Sequence, residues 1–285
     1  MATTTLQGDQ GEAQVGHQVG RSLPRLEARD KVSGRAEYTH LMRLPGMLTG
    51  KIFRSTVAHG RIKSIDTTAA RAVPGVHSIV TADDIRKVIP NPYYGPAFHD
   101  QPILAIDKVH YVGEPVAVVL ALDPHVAEEA AQLIEAEYEE LPAVFDELEA
   151  AKNETLVHEE LKPAGTFADL KHLKGAKGTN IALDFKLRRG DVKKAFAEAA
   201  QVFEHTFRTQ KVLHLAFEPF ASIADVKDSG VTIYSGSQGP SFVRTEIARL
   251  SAGPRTRCAS RCRSSAAASA PSSTSRWKRS RPRSP

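Results

Sequence analysis

The sequence predicts an α/β (α+β) protein built as two unequal blocks, and three observations predict it. Apolar residues alternate with period two through short stretches such as MLTGKIFRS (Met47–Ser55) and RIKSIDTTAA (Arg61–Ala70), the pattern of half-buried strands. A continuous apolar run, Val116–Leu122, leads straight into Asp123-Pro124 and a helical pattern, so a buried strand feeds a helix. From Glu149 to Gly178 the periodicity lapses into a polar stretch rich in Lys and Gly, which reads as a linker crossing the surface between blocks.

The first block spans residues 19–149. Met47–Ser55 and RIKSIDTTAA (Arg61–Ala70) alternate as strands, and Pro74-Gly75 makes a turn into a further β-rich segment. The four prolines of IPNPYYGPAFHDQP (Ile89–Pro102) argue against regular structure there. KVHYVGEPVAVVLALD (Lys108–Asp123) reads as a buried strand, its apolar run preceded by the turn-like Gly113-Glu114-Pro115. Asp123 caps the next helix, and Pro124 at its first position loses no hydrogen bond by lacking an N–H. Val126, Ala130, Leu133 and Ile134 form its expected buried stripe. The period returns to two in IEAEYEEL, where Ile134, Ala136 and Tyr138 alternate with glutamates. The order is β-β-β-α-β.

After the linker (residues 150–178) the second block occupies residues 179–250. Asp191 is placed to cap a short helix with Val192, Ala195, Phe196 and Ala199 facing inward, and Val202–Thr209 alternates as a strand. HLAFEPFASIADV and GVTIYSGSQ supply further strands, and Ser241–Leu250 begins a helix.

Residues 1–18 have neither a basic nor an apolar signal region and read as a disordered lead, which points to a cytoplasmic protein. No run of about 18 uninterrupted apolar residues is present, so the sequence predicts no membrane helix. Residues 251–285 contrast with all that precedes them. They hold eight Arg, one Lys and no acid, so the chain's +5 hides a body of net charge −4. A mildly acidic body gives no electrostatic reason to expect nucleic acid as a partner. The same segment lacks Val, Leu, Ile, Phe, Met and Tyr and carries both cysteines, Cys258 and Cys262, with the only tryptophan, Trp277. It cannot bury enough apolar area to offset its ordering entropy, so disorder is expected. Two readings of this tail stand. One is a basic arm for nucleic acid or acidic partners, carried by a non-catalytic interaction protein. The other is out-of-frame translation of GC-rich DNA. Read one nucleotide earlier with permitted codons, the segment can become an alternating strand, a glycine-rich GGGFG turn and an amphipathic helix.

The body resembles the molybdopterin-binding large subunit of the xanthine dehydrogenase/aldehyde oxidase family. The resemblance runs from VGRSLPRLEARDKVSGRAEYTHLMRLPGMLTGKIFRSTVAHGRIKSID through YVGEPVAVVLA, AEYEELPAVFD and RRGDVKKAFAEA to SGSQGPSFVRTEIARL, from Val19 to Leu250. It implies an a/b hammerhead domain followed by the start of a molybdopterin-binding domain. It also implies a molybdenum–pterin cofactor in the full-length protein that inserts water-derived oxygen into a C–H bond of an aldehyde or N-heterocycle. Electrons would leave through a small iron–sulfur subunit and an FAD-binding medium subunit as partners. No catalytic residue is carried over onto this chain, because the family's catalytic glutamate aligns downstream of it, and the chain alone is expected to be inactive and not to retain the cofactor.

Three positions are carried over. Gln238, with Gly239 beside it in SGSQGP, matches the family glutamine that contacts the cofactor after a strand. A carboxamide suits that role because it donates and accepts without adding charge; by its residues alone, Gln before Gly-Pro is more often a turn residue. Glu218, in AFEPF, matches a family acid near the domain base, with either a substrate-pocket role or a backbone-bonding role open. His110, His205 and His214 lie in or beside strands and read as core or surface histidines rather than metal ligands, and GDQGEAQVG lacks the flanking strand and helix of a phosphate loop.

Overall fold

The computed structural model describes residues 22–165, 170–210, 212, 218–252 and 258–261. The expected lead at residues 1–18, His214, Cys262 and Trp277 lie outside them. The first block opens with a helical turn, α1 (Ala28–Val32), and a 3-10 turn (Thr39–Leu41). It continues through β1 (Thr49–Arg54), β2 (Gly60–Asp66), α2 (Thr68–Arg71), β3 (Val76–Thr81) and α3 (Ala82–Val88). Three short strands follow, β4 (Tyr93–Tyr94), β5 (Gln101–Pro102) and β6 (Lys108–Val109), and then the longer β7 (Pro115–Ala121). The helix α4 (Pro124–Gln132) and β8 (Glu135–Glu140) complete it.

Two three-stranded antiparallel sheets result, ordered β1-β7-β3 and β6-β2-β8. β7 is the central strand of the first, which is why its sequence is almost wholly apolar. One core packs Ile79, Ala117, Val119 and Ile134 against Ala70, Ala130 and Ala131, and a second gathers Ala105, Val109 and Val116. Phe53 and Ile65 pack against both, joining the two sheets. The alanines on α2 and α4 let these helices lie close on the sheet.

Most of the expected elements stand where they were read, with corrections. Arg61–Ala70 is a strand only to Asp66, whose carboxylate takes the Thr68 N–H and turns the chain into α2. Lys108–Asp123 is two strands, because Gly113 at φ 95° breaks it before Pro115. The Asp123 cap holds as expected, accepting from the His125 and Val126 amides. Of the expected stripe, Ala130 and Ile134 are buried and Val126 is half-buried, with Ala127 and Ala131 also inside, while Leu133 is 41% exposed because α4 ends at Gln132 and Leu133 already leaves the helix. The proline-rich loop carries a two-residue antiparallel ladder, Tyr93↔Pro102 and Tyr94↔Gln101. Its prolines flank or end the ladder rather than interrupt it.

The stretch expected as a surface linker carries α5 (Glu147–Ala150), β9 (Glu160–Leu161) and β10 (Ala176–Lys177), the last two paired antiparallel. Leu161 is buried. Asn180 ties the stretch together: its side chain accepts from the Val157 amide and donates to the Ala150 and Thr155 carbonyls.

In the second block α6 (Val192–Glu198) forms, capped by Asp191 through the Lys194 amide. Its apolar residues do not face inward, however. Phe196 is 61% exposed and Val192 is similarly open, since no described element packs on that face. Val202–Thr209 is not a strand; its alternation finds no partner to pair with among the described residues. Beyond it, β11 (Ser222–Lys227) and β12 (Gly230–Ser235) form an antiparallel hairpin, followed by α7 (Pro240–Leu250). A last strand, β13 (Cys258–Arg261), pairs parallel with β12 and buries Cys258. Disorder was expected there. The backbone ladder to β12 orders these four residues despite their lack of large aliphatic side chains. No helix among the described residues is long and apolar enough to cross a membrane.

Candidate functional site

The β12–α7 connection is the candidate site. β12 ends at Ser235, and Gly236-Ser237-Gln238-Gly239 carries the chain to the first turn of α7. The turn forms because the Ser237 hydroxyl accepts the Gly239 N–H at 3.1 Å, and Pro240 at the first helical position is preset for the helix. No side chain caps α7. The positive end of the helix dipole therefore lies at the Gln238-Gly239 turn. Gln238 itself is exposed.

Glu218, from the segment entering β11, lies against the same turn. A Cβ on Gly236 would stand 3.5 Å from the Glu218 carboxylate oxygen, ordinary contact distance, so the acid lies directly against this turn. The structure thus brings Glu218 to a glycine two positions before Gln238. Between this turn and the first block is a cavity of about 710 Å³, lined among others by Thr39, His40, Arg54, Glu218 and Gly236. Thr39 Oγ1 and His40 Nδ1 are buried there without a hydrogen-bond partner.

Two buried acids escaped the sequence reading. Glu114 is almost fully buried and receives both the backbone N–H and the Nδ1 side of His110. Its signal was available: a lone charge wedged between a turn glycine and the apolar run of β7. Glu246, on the inner face of α7, pairs with Arg249 at 3.0 Å, with His99 at 4.0 Å. Burial, and next the nearby Arg249 cation, hold His99 below the ordinary histidine value against the opposing pull of Glu246 and Asp100. Of the three histidines read as non-ligands, His110 is packed inside, and His205 is exposed beside Phe207. Among the described residues no group of three or more His, Cys, Asp or Glu could hold a metal ion.

Comparison with known proteins gives this geometry its context. Residues 33–142 match the aldehyde oxidase and xanthine dehydrogenase a/b hammerhead domain, and residues 173–263 match the molybdopterin cofactor-binding domain. The second match starts inside the stretch expected as linker and continues past Leu250 through β13. The 6-hydroxypseudooxynicotine dehydrogenase complex subunit gamma of Paenarthrobacter nicotinovorans is 34% identical over 79% of this chain and 27% of its own length. The carbon monoxide dehydrogenase large chain of Afipia carboxidovorans is 33% identical over 83% and 29%. The crystal structure of quinoline 2-oxidoreductase from Pseudomonas putida 86 superposes with a TM-score of 0.72 at 31% identity, over 86% of this chain and 30% of that one. The chain therefore spans about 30% of the length of these three relatives. With both domains matched in the order the fold places them, the chain belongs to the xanthine dehydrogenase/aldehyde oxidase family of molybdopterin-binding large subunits.

Proposed function

We propose that this chain is part of the large subunit of a molybdenum hydroxylase, an oxidoreductase acting on an aldehyde or N-heterocycle. The observation that carries the reading is the hammerhead match followed by the cofactor-domain match, with the Gln238 turn inside the second. In this reading Gln238 contacts the molybdenum–pterin group through its carboxamide, and Gly239 lets the backbone approach it closely. The residues fit such a group: an exposed carboxamide stands beside an uncapped helix start, and both suit oxygen-rich ligands. Glu218 is assigned to the wall of the same region. When bound, the cofactor supplies the redox chemistry at the substrate C–H bond; the residues here bind and orient it.

The partners in this reading are a small iron–sulfur subunit and a medium FAD-binding subunit. The names of the relatives, a complex subunit gamma and a large chain, support a multi-subunit setting. Tagged chain isolated from its native cells is expected to bring down proteins with flavin and iron–sulfur absorbance. A colourless isolate overturns the partner assignment. Because cofactor binding is coupled to completing the fold around it, the purified chain alone is expected to hold well under about one molybdenum per chain and to be inactive. For residues 251–285 the out-of-frame reading is our proposal, supported by their composition. Resequencing the gene through the codons for Arg249–Ser265 tests it, and a confirmed frame overturns it.

A further inference from the structure

A second histidine arrangement lies away from the Gln238 turn, at the seam between the first block and the segment that leaves it. His59, His110 and His158 form a stacked column, with ring centroids 6.4 Å apart in the first pair and 4.7 Å in the second. Each ring comes from a different part of the chain: the β1–β2 turn, the β6–β7 loop and the segment entering β9. His59 Nδ1 faces the Pro142 carbonyl at 2.7 Å, and His110 Nδ1 faces both oxygens of buried Glu114 at 3.1 Å. Two members of the column are therefore committed to acceptors. His158, at the end, lines a cavity of about 710 Å³ together with His99, Asp100, Lys108 and His110.

Among the described residues, a short backbone bridge joins the segment that carries His158 to the first block, while the β9–β10 ladder and the Val157–Asn180 bond tie it to the chain that follows. The His99 amide donates to the Lys162 carbonyl at 3.0 Å and the Ala164 amide to the Ala97 carbonyl at 2.9 Å. Lys108 pairs with Glu159 at 2.7 Å, and Leu161 is its buried apolar anchor. A seam this thin opens at little cost.

A proton on His158 changes the balance at that seam. Lys108 at the start of β6 and His110 and Glu114 in the loop after it face His158, with His59 behind His110, and the proline-rich loop contributes His99 and Asp100. Its own segment adds Glu159, Glu160 and Lys162. Glu114 is engaged with His110, Glu159 with Lys108, and Glu160 with Lys162 at 3.5 Å, which leaves Asp100 and, farther along the cavity beside Arg61, Asp107 as the carboxylates among the described lining residues to offset a new cation.

We propose that the His110–His158 stack is an acid-labile clasp, which fastens the segment Val157–Ala164 to the first block and releases it when His158 takes up a proton. Burial, followed by the neighbouring His110 and then Lys108, holds His158 below the ordinary histidine value, with Asp100 and Glu114 opposing. A depressed histidine contributes stability that is complete above its unfolded value, about 6.5. That contribution is lost as pH falls through the lower folded value.

Hydrogen exchange of the full chain, corrected for the intrinsic pH dependence of amide exchange, tests this between about pH 7.5 and about pH 5. Protection at the His99 and Ala164 amides is expected to fall by up to about tenfold per pH unit and then level off, while the Val119 amide in β7 stays protected. His158→Phe keeps a buried stacked ring that gains no proton and is expected to abolish the fall. His158→Asn loses the stack and is expected to be less protected at every pH, again without the fall. Flat protection in the unaltered chain overturns the clasp, as does a fall that persists in whichever of the two variants folds.

Discussion

Arg249 donates to the Tyr93 carbonyl at 2.5 Å, bridging 156 positions of sequence, and the same guanidinium nitrogen holds Glu246 at 3.0 Å. The C-terminal end of α7 is thereby fastened to the proline-rich loop of the first block. Its N-terminal end carries Gln238 and Gly239. The position of the candidate cofactor turn relative to the first block therefore depends on a contact at the opposite end of the same helix.

Removing the guanidinium isolates a buried carboxylate, since Glu246 is only 4% exposed. Arg249→Met is expected to cost about 3 kcal/mol in urea unfolding, and Arg249→Met with Glu246→Leu is expected to recover most of it. A single-variant loss below about 0.5 kcal/mol would contradict the assigned role.

Much of the first block was legible because local rules and burial agree there. Asp123-Pro124 starts a helix by cap and ring geometry alone, and the apolar run of β7 marks a central strand without outside information. The second block was less legible. Val192, Phe196 and the Val202–Thr209 alternation report a face that needs a partner, and periodicity cannot say whether that partner is present. β13 was invisible because a strand paired through its backbone needs no apolar side chains. Glu246 was missed because its burial is set by a loop far away in sequence, whereas the Gln238 turn was found only through the family resemblance.

The contrast between the blocks is measurable. Ile79, buried in the main core of the first block, is expected to cost about 3 kcal/mol as Ile79→Ala. Phe196→Ala, on the open face of α6, is expected to change stability by less than about 0.5 kcal/mol. Equal losses in chemical denaturation would mean that α6 is packed in solution.

Asp84 gives a pH signature confined to α3. Its carboxylate accepts both the amide and the hydroxyl hydrogen of Thr81, with Lys87 at 3.0 Å. The Thr81 amide leads in holding its pKa at about 2. A depressed carboxylate stabilises above its ordinary value and loses that contribution as pH falls through the folded one. NMR titration of the Asp84 side chain is expected to find the midpoint near 2. Asp84→Ala is expected to fray α3 by about 1 kcal/mol, and an ordinary carboxylate midpoint would contradict the capping geometry.

The most direct test of the central claim is an anaerobic NMR titration of the full chain with isolated molybdopterin cofactor. Binding too weak to survive purification is still expected to give fast-exchange amide shifts under excess cofactor, concentrated at Ser237–Phe242 around the start of α7 and lost in Gln238→Ala. Shifts that spare this turn, or that are unchanged in the variant, would contradict the placement of the cofactor contact at Gln238 and Gly239.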